Sequence, residues 1–361
     1  MRLSPVFALA AAAAGASAQQ DLLLIPDSQS DRVWAFSAAD GALVSNAFLT
    51  DPGTVGGVDV FNRPIEVLVS ATGTYLVTDQ FADVVSEFGA DRSFIRVFSL
   101  GGVRDTQIMD NMRGGHVLTQ GPGAGDVLVC NAGGTNALLV SQNNVKRLDS
   151  ATGAELTDFA FNRYGGLRGP FDAIEYNGKV LIADEGQRAI VRYTLDGKFD
   201  ERFTSDFDVP QIDFPQQMAI AGNGNLLLCE FSSGVILEFA PDATLVGQYS
   251  PGTLSLFRGI AELDNGNLLV TTTTGRVPQR RAGRRRRACP PRRPQGGRPM
   301  NTRNAIALVA ASIALGAGLA HAGAPTRAFI MEGSGFFNAP GVEIGRLAAI
   351  DLADPSQVTP L

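Results

Sequence analysis

A polar residue closes an apolar run at six positions: Asp27, Asp79, Asn131, Asp184, Glu230 and Thr272, spaced 52, 52, 53, 46 and 42 residues apart. Carboxylates presented this way from several units can line one opening, and a hard cation such as Ca²⁺ takes several oxygen ligands of this kind. The same side chains can instead cap the turn after each run through their own backbone. A second set, Glu66, Asp172 and Gln217, stands two residues after Pro64, Pro170 and Pro215. If these prolines open strands that face an axis, the three groups converge there; simple solvation in a water-filled channel is the alternative. His116, in RGGHVLTQ, is the one imidazole expected near that axis. It is either a general base or a structural residue. The only other histidine is His321, a scarcity that weighs against hydrolase triads and zinc sites.

These residues need a repeating scaffold, and one is legible. Asn177–Phe203 reads as three short strands, with a turn at Asp184–Gln187 and a hairpin at Asp196-Gly197; Phe171–Tyr176 precedes them as a fourth. Similar text recurs at Leu22–Phe48, Glu66–Phe98, Asp126–Phe159, Met218–Tyr249 and Gly259–Gly275. A lone unit cannot bury its faces, whereas a closed ring of units can. The expected fold is therefore all-β, a six-bladed β-propeller with an incomplete last blade. Leu22 has no inner strand before it, so the C-terminal end is expected to supply that strand. The stretch Ala132–Asn144 is longer than its equivalents and reads as a loop suited to binding a partner.

The entries Arg63-Pro64, Gly169-Pro170 and Phe214-Pro215, the turns Asn177-Gly178, Asn223-Gly224 and Asn265-Gly266, and the strand-ending Asp residues resemble NHL-type and gluconolactonase-type propellers over Leu22–Gly275. The gluconolactonase-like resemblance implies a divalent metal in the central channel, with Asp184 or Asp79 at the position of one ligand. Glu66 and Asp172 join them as metal candidates. The chain departs from that family in lacking a Glu-Gly-Pro opening and in carrying Pro170-Phe171-Asp172 where the family has Pro-Asn-Gly.

Met1–Ala18 reads as a secretory signal: Arg2, an apolar run, then Ala16-Ser17-Ala18 as a cleavage site. A periplasmic or secreted propeller over 19–275 is expected. Arg276–Arg303 holds eleven arginines and no acid, so the formal charge of −6 leaves −17 for the rest. Such an acidic remainder argues against a nucleic-acid partner. Residues 276–299 read as a disordered Arg/Pro-rich segment. Residues 300–322 read as a second signal-like apolar helix, and 323–361 as the start of another propeller-like domain or a disordered tail. Three readings of this region stand side by side: a basic segment for acidic polymers, a membrane anchor at Ala305–Leu319, and a frameshift joining two genes. Cys130, Cys229 and Cys289 form no disulfide framework, and the first two read as small buried hydrophobes. Trp34 and Phe36 read as core.

Two functions from different classes follow. One is a non-catalytic module binding a protein or a small-molecule, carbohydrate-type ligand. The other is a calcium-dependent, lactonase-like hydrolase with a carboxylate-lined channel, in which Asp184 and His116 are the catalytic candidates.

Overall fold

A computed structural model describes residues 21–135, 141–161, 166–250, 256–272, 327–328, 348–351 and 354–360. All of them belong to one of the two units into which the chain divides, Met1–Val277 with Gly323–Leu361; the other, Pro278–Ala322, lies outside the described residues. The readings of both signal segments, of the arginine run and of Cys289 lie outside them too.

The strands follow the chain in radial order. β1 (Leu22–Asp27), β2 (Arg32–Ser37) and β3 (Leu43–Thr50) build the first sheet, and a small hairpin, β4 (Thr54–Val55) and β5 (Val58–Asp59), follows. The second sheet is β6 (Pro64–Val69), β7 (Tyr75–Asp79), β8 (Val84–Phe88) and β9 (Phe94–Val97). The third is β10 (Met112–Val117), β11 (Val127–Thr135), β12 (Ser141–Leu148) and β13 (Glu155–Phe161). The fourth is β14 (Pro170–Tyr176), β15 (Lys179–Asp184), β16 (Ala189–Thr194) and β17 (Phe199–Ser205). The fifth is β18 (Pro215–Ile220), β19 (Leu226–Glu230), β20 (Val235–Phe239) and β21 (Leu245–Tyr249). β22 (Phe257–Glu262) and β23 (Leu268–Thr272) then start a further sheet.

The repeats thus give five blades, not the six expected. From the repeats, β22 and β23 supply just the inner pair of the last sheet, because the text after Thr272 carries no further strand period. Short strands from the far end join the first and last sheets. β24 (Arg327–Ala328) pairs parallel with β1, while β25 (Ala348–Asp351) and β26 (Asp354–Pro360) continue outward from β23. The physical reason is that β1 and β23 each offer an unpaired backbone edge. The stretch Ala132–Asn144 is also not the loop expected: β11 and β12 extend through it, pairing Ala132 with Asn143 and Thr135 with Ser141. Residues 136–140 lie outside the described residues.

Period-2 alternation sends the two faces of each middle strand to different neighbours. On β15, Val180 and Ile182 pack with Leu128, Cys130 and Val145 of the third sheet. Leu181 and Ala183 pack with Leu226, Leu228 and Leu237 of the fifth. Cys130 and Cys229 are free and buried, and Trp34 stacks with Phe36 in an apolar cluster. Asn177 and Gly178 both take positive φ, as a two-residue hairpin between β14 and β15 requires.

The outer hairpins lock each blade against the one before it. Gly197 sits at φ +82°, and a Cβ there would lie 2.3 Å from the Phe159 carbonyl oxygen; at Gly153 the corresponding distance to Phe98 O is 1.8 Å. Gly197→Ala therefore adds both backbone strain and a backbone clash. It is expected to lower stability by about 2 kcal/mol or more, read as a lower urea midpoint. An unchanged midpoint would mean that the hairpin does not dock on the preceding blade.

Candidate functional site

The column of polar stops is turned into its own blades. Asp79 Oδ2 accepts from the backbone N–H groups of Asn62 and Arg63, both at 2.8 Å, and Oδ1 from those of Phe81 (3.0 Å) and Ala82 (2.8 Å). Asp184 Oδ2 accepts from Arg168 N–H at 2.8 Å and Oδ1 from Gln187 N–H at 2.9 Å. Glu230 repeats the pattern with Asp213 N–H at 3.0 Å, Phe214 N–H and Ser233 N–H. Asn131 accepts from Asp110 N–H at 2.8 Å, and Asp27 from Gln29 N–H at 3.0 Å. In three blades the carboxylate thus joins the chain entering the inner strand to the turn after the second strand. Burial pushes Asp79 up to about 6 despite its four N–H partners, and it also raises Asp184.

This arrangement answers whether the residues fit a calcium ion. The oxygens of Asp79 and Asp184 are committed to backbone donors of separate blades rather than to one point between them. Among the described residues, no group of three or more His, Cys, Asp or Glu side chains is placed to hold a metal. As placed, the four metal candidates are divided: Asp79 and Asp184 cap turns of separate blades, whereas Glu66 and Asp172 come together at the axis.

The axial set does converge. Each inner strand opens with a register shift: between Pro64 and Glu66, Met112 and Gly115, Pro170 and Asp172, Pro215 and Met218, and Phe257 and Ile260. A bulge takes N–H groups out of the ladder, and side chains of other blades accept them. Gly115 N–H donates to Glu66 Oε2 at 2.6 Å, Met218 N–H to Asp172 Oδ2 at 2.7 Å, and Ile260 N–H to Gln217 Oε1 at 3.0 Å. Gln217 Nε2 lies 3.4 Å from Glu66 Oε1. Gly114 stands at the corresponding place of the third blade. A Cβ there would lie 2.7 Å from Glu66 Oε2 and 2.9 Å from Asp172 Oδ1, so the two carboxylates face one another across this glycine. Burial and then the Asp172 charge hold the Glu66 carboxyl well above its ordinary range; burial pushes Asp172 up to about 7. The pair retains a proton where isolated carboxylates have lost theirs.

Beyond this floor, toward the C-terminal ends of the inner strands, lies a cavity of about 1180 Å³ whose lining includes Glu66, Asp172, His116, Thr119, Glu175 and Gln217. His116 Nε2 stands 3.5 Å from Glu175 Oε2, an ion-pair distance without a well-formed hydrogen bond. Glu175 also accepts from Thr119 N–H at 2.9 Å, Gln120 N–H at 3.1 Å and the Thr119 hydroxyl. Burial alone would raise Glu175, but His116 and these donors outweigh it and hold it at about 2. The catalytic candidates are therefore not brought together: His116 lines the cavity, whereas Asp184 does not. Gly114 and Glu175 were not singled out by sequence. The signal for Gly114 is its place two residues after Met112, where the other inner strands carry Glu66, Asp172 and Gln217.

The axial pair carries a pH signature. An aspartate that ionises near 3.8 when unfolded and near 7 when folded leaves the native state holding the extra proton between those values. Its stabilising share is thus full below about pH 4 and is lost as pH rises toward 7. Unfolding free energy is expected to fall between about pH 4 and 7, and Glu66→Gln to flatten that fall. Equal slopes for the two proteins would contradict the pairing.

No family model matches the chain, and no curated protein matches it. Among solved structures, the nidogen/laminin complex is similar over 71% of this chain and 86% of that one, at 12% identity and a TM-score of 0.52. Virginiamycin B lyase from Staphylococcus aureus is similar over 59% of this chain, at 16% identity and a TM-score of 0.44; the chain spans 64% of that enzyme's length, less than two thirds. A structure described as a candidate gluconolactonase is similar over 59% of this chain and 73% of its own, at 12% identity and a TM-score of 0.44. At these identities the likeness is one of fold alone: the chain folds as a β-propeller.

Proposed function

We propose that this chain is an exported, non-catalytic binding module that takes a small polar ligand of carbohydrate type into the channel cavity. The observation that carries the reading is the use of the polar column. The oxygens of Asp79 and Asp184, which a calcium-dependent hydrolase would direct at an ion, are spent on backbone N–H groups within their own blades. What remains open is a cavity with polar groups on its wall, among them Ser70, Thr119, Gln120 and Asn177. Such a lining supports hydrogen-bonded recognition without a reacting centre. Export rests on the signal reading of Met1–Ala18. Among the described residues no helix is long and apolar enough to cross a membrane.

A second reading, a lactonase-like hydrolase, is favoured by one observation. Glu66 and Asp172 line the cavity with pKa values raised above the ordinary carboxylate range, and Asp172, pushed up to about 7, meets the condition for a carboxyl group to move a proton near pH 7.

Thermal shift and calorimetry with a panel of mono- and oligosaccharides are expected to find saturable binding that weakens at least tenfold in His116→Ala. Lactone turnover with or without calcium, abolished by Asp172→Asn, would replace the binding reading with the hydrolase.

A further inference from the structure

The opposite end of the channel has a different chemistry. One residue before the axial set, the five inner strands carry Ile65, Arg113, Phe171, Gln216 and Arg258. None of these lines the cavity, so they lie on the far side of the Glu66–Asp172 floor. Arg113 Cζ and Arg258 Cζ lie over the Phe171 ring, 5.4 Å and 5.6 Å from its centroid, and Arg258 also covers Phe231 at 4.4 Å. Arg63, at the entry to β6, lies 4.9 Å over Phe81, half of which is exposed. Arg63 and Arg258 are only 4% and 5% exposed.

Three guanidinium groups are therefore gathered at one mouth. An acid turned toward them is Glu185, one residue past the polar column; its charge acts on Arg113 and Arg258, and Gln216 bridges it to Arg258. Arg258 Nη1 donates to Gln216 Oε1 at 2.5 Å, and Gln216 Nε2 donates to Glu185 Oε1 at 2.5 Å. Asp79 and Asp184 stand behind, their oxygens taken by backbone donors. Arg113 Nε is buried without a hydrogen-bond partner. Burial and then repulsion from Arg113 lower Arg63 to about 10 and Arg258 to about 9; for both, that repulsion outweighs the pull of the nearest carboxylate. Clustered, poorly hydrated positive charge of this kind is stabilised by a bound anion.

We infer that Arg63, Arg113 and Arg258 form a binding site for a small multivalent oxyanion, carrying carboxylate or phosphate groups, at the mouth opposite the cavity. This site is independent of the cavity's ligand. Guanidinium groups meet such oxygens with paired N–H donors, and the Phe171, Phe231 and Phe81 rings keep their planes ordered.

Calorimetry on the full chain with citrate and with inorganic phosphate, at ionic strength held constant with sodium chloride, tests the inference. At least one of the two anions is expected to bind saturably; the tighter one identifies carboxylate or phosphate as the recognised group. Arg113→Gln is expected to weaken binding at least tenfold. Glu185→Gln removes the competing carboxylate and is expected to tighten it about threefold or more. The run Arg276–Arg303 is present in every variant, so its background cancels in these comparisons. If Arg113→Gln fails to fold, the Glu185→Gln gain alone decides. Absence of binding for both anions, or equal affinity in wild type and the folded variants, would overturn the site.

Discussion

Backbone N–H groups freed at the start of each inner strand need acceptors, and the structure depends on how they find them. A buried amide left unpaired costs about 1–3 kcal/mol, so a ring of bulged strands could not close with apolar residues at its axis. Glu66, Asp172 and Gln217 meet this need across blade boundaries, and the polar column meets it within blades. Radial packing of Leu, Ile and Val then holds the faces together, but side-chain oxygens fix where each inner strand stands.

Carboxylates used this way bring a charge problem. Glu66 and Asp172 face one another across Gly114, and the protein answers by retaining a proton on the pair. Glycine at 114 is what allows the approach, since any larger side chain would occupy the space between the two carboxylates. Positive charge is kept apart from this pair. Arg113 and Arg258 stand on β10 and β22, one residue before the place that Glu66 and Asp172 take on β6 and β14, and are carried to the other mouth, where Glu185 reaches Arg258 through Gln216. A shift of one residue along an inner strand thus separates an acidic floor from a basic mouth.

Much of this was legible in the chain. Apolar runs ending in Asp27, Asp79, Asp184 and Glu230, with Asn177-Gly178 and Asp196-Gly197 between them, marked the blades because turn chemistry and period 2 are local signals. The axial convergence of Glu66, Asp172 and Gln217 followed from their shared place after a proline. What each group does with its oxygens was not legible. Beside the local donors of the following turn, Asp79 and Asp184 take donors from chain 16 and 17 residues earlier, and the donor to Glu66 comes from 49 residues later. Spacing alone could not choose between capping and metal binding. Arg63, Arg113 and Arg258 share no local motif and meet only when the ring forms. The count of six blades failed because Thr272 continued the spacing of the column while the text beyond it lost the strand period.

The central claim is that the axial carboxylates are acceptors for blade-joining amides and share a proton. Carbon-13 NMR of the side-chain carboxyl groups of Glu66 and Asp172, followed through a pH titration with and without calcium, tests it most directly. The account predicts that one of the two is still protonated at pH 7, with shifts unmoved by millimolar calcium. Two carboxylates fully ionised by pH 5, or resonances displaced by calcium, would contradict it.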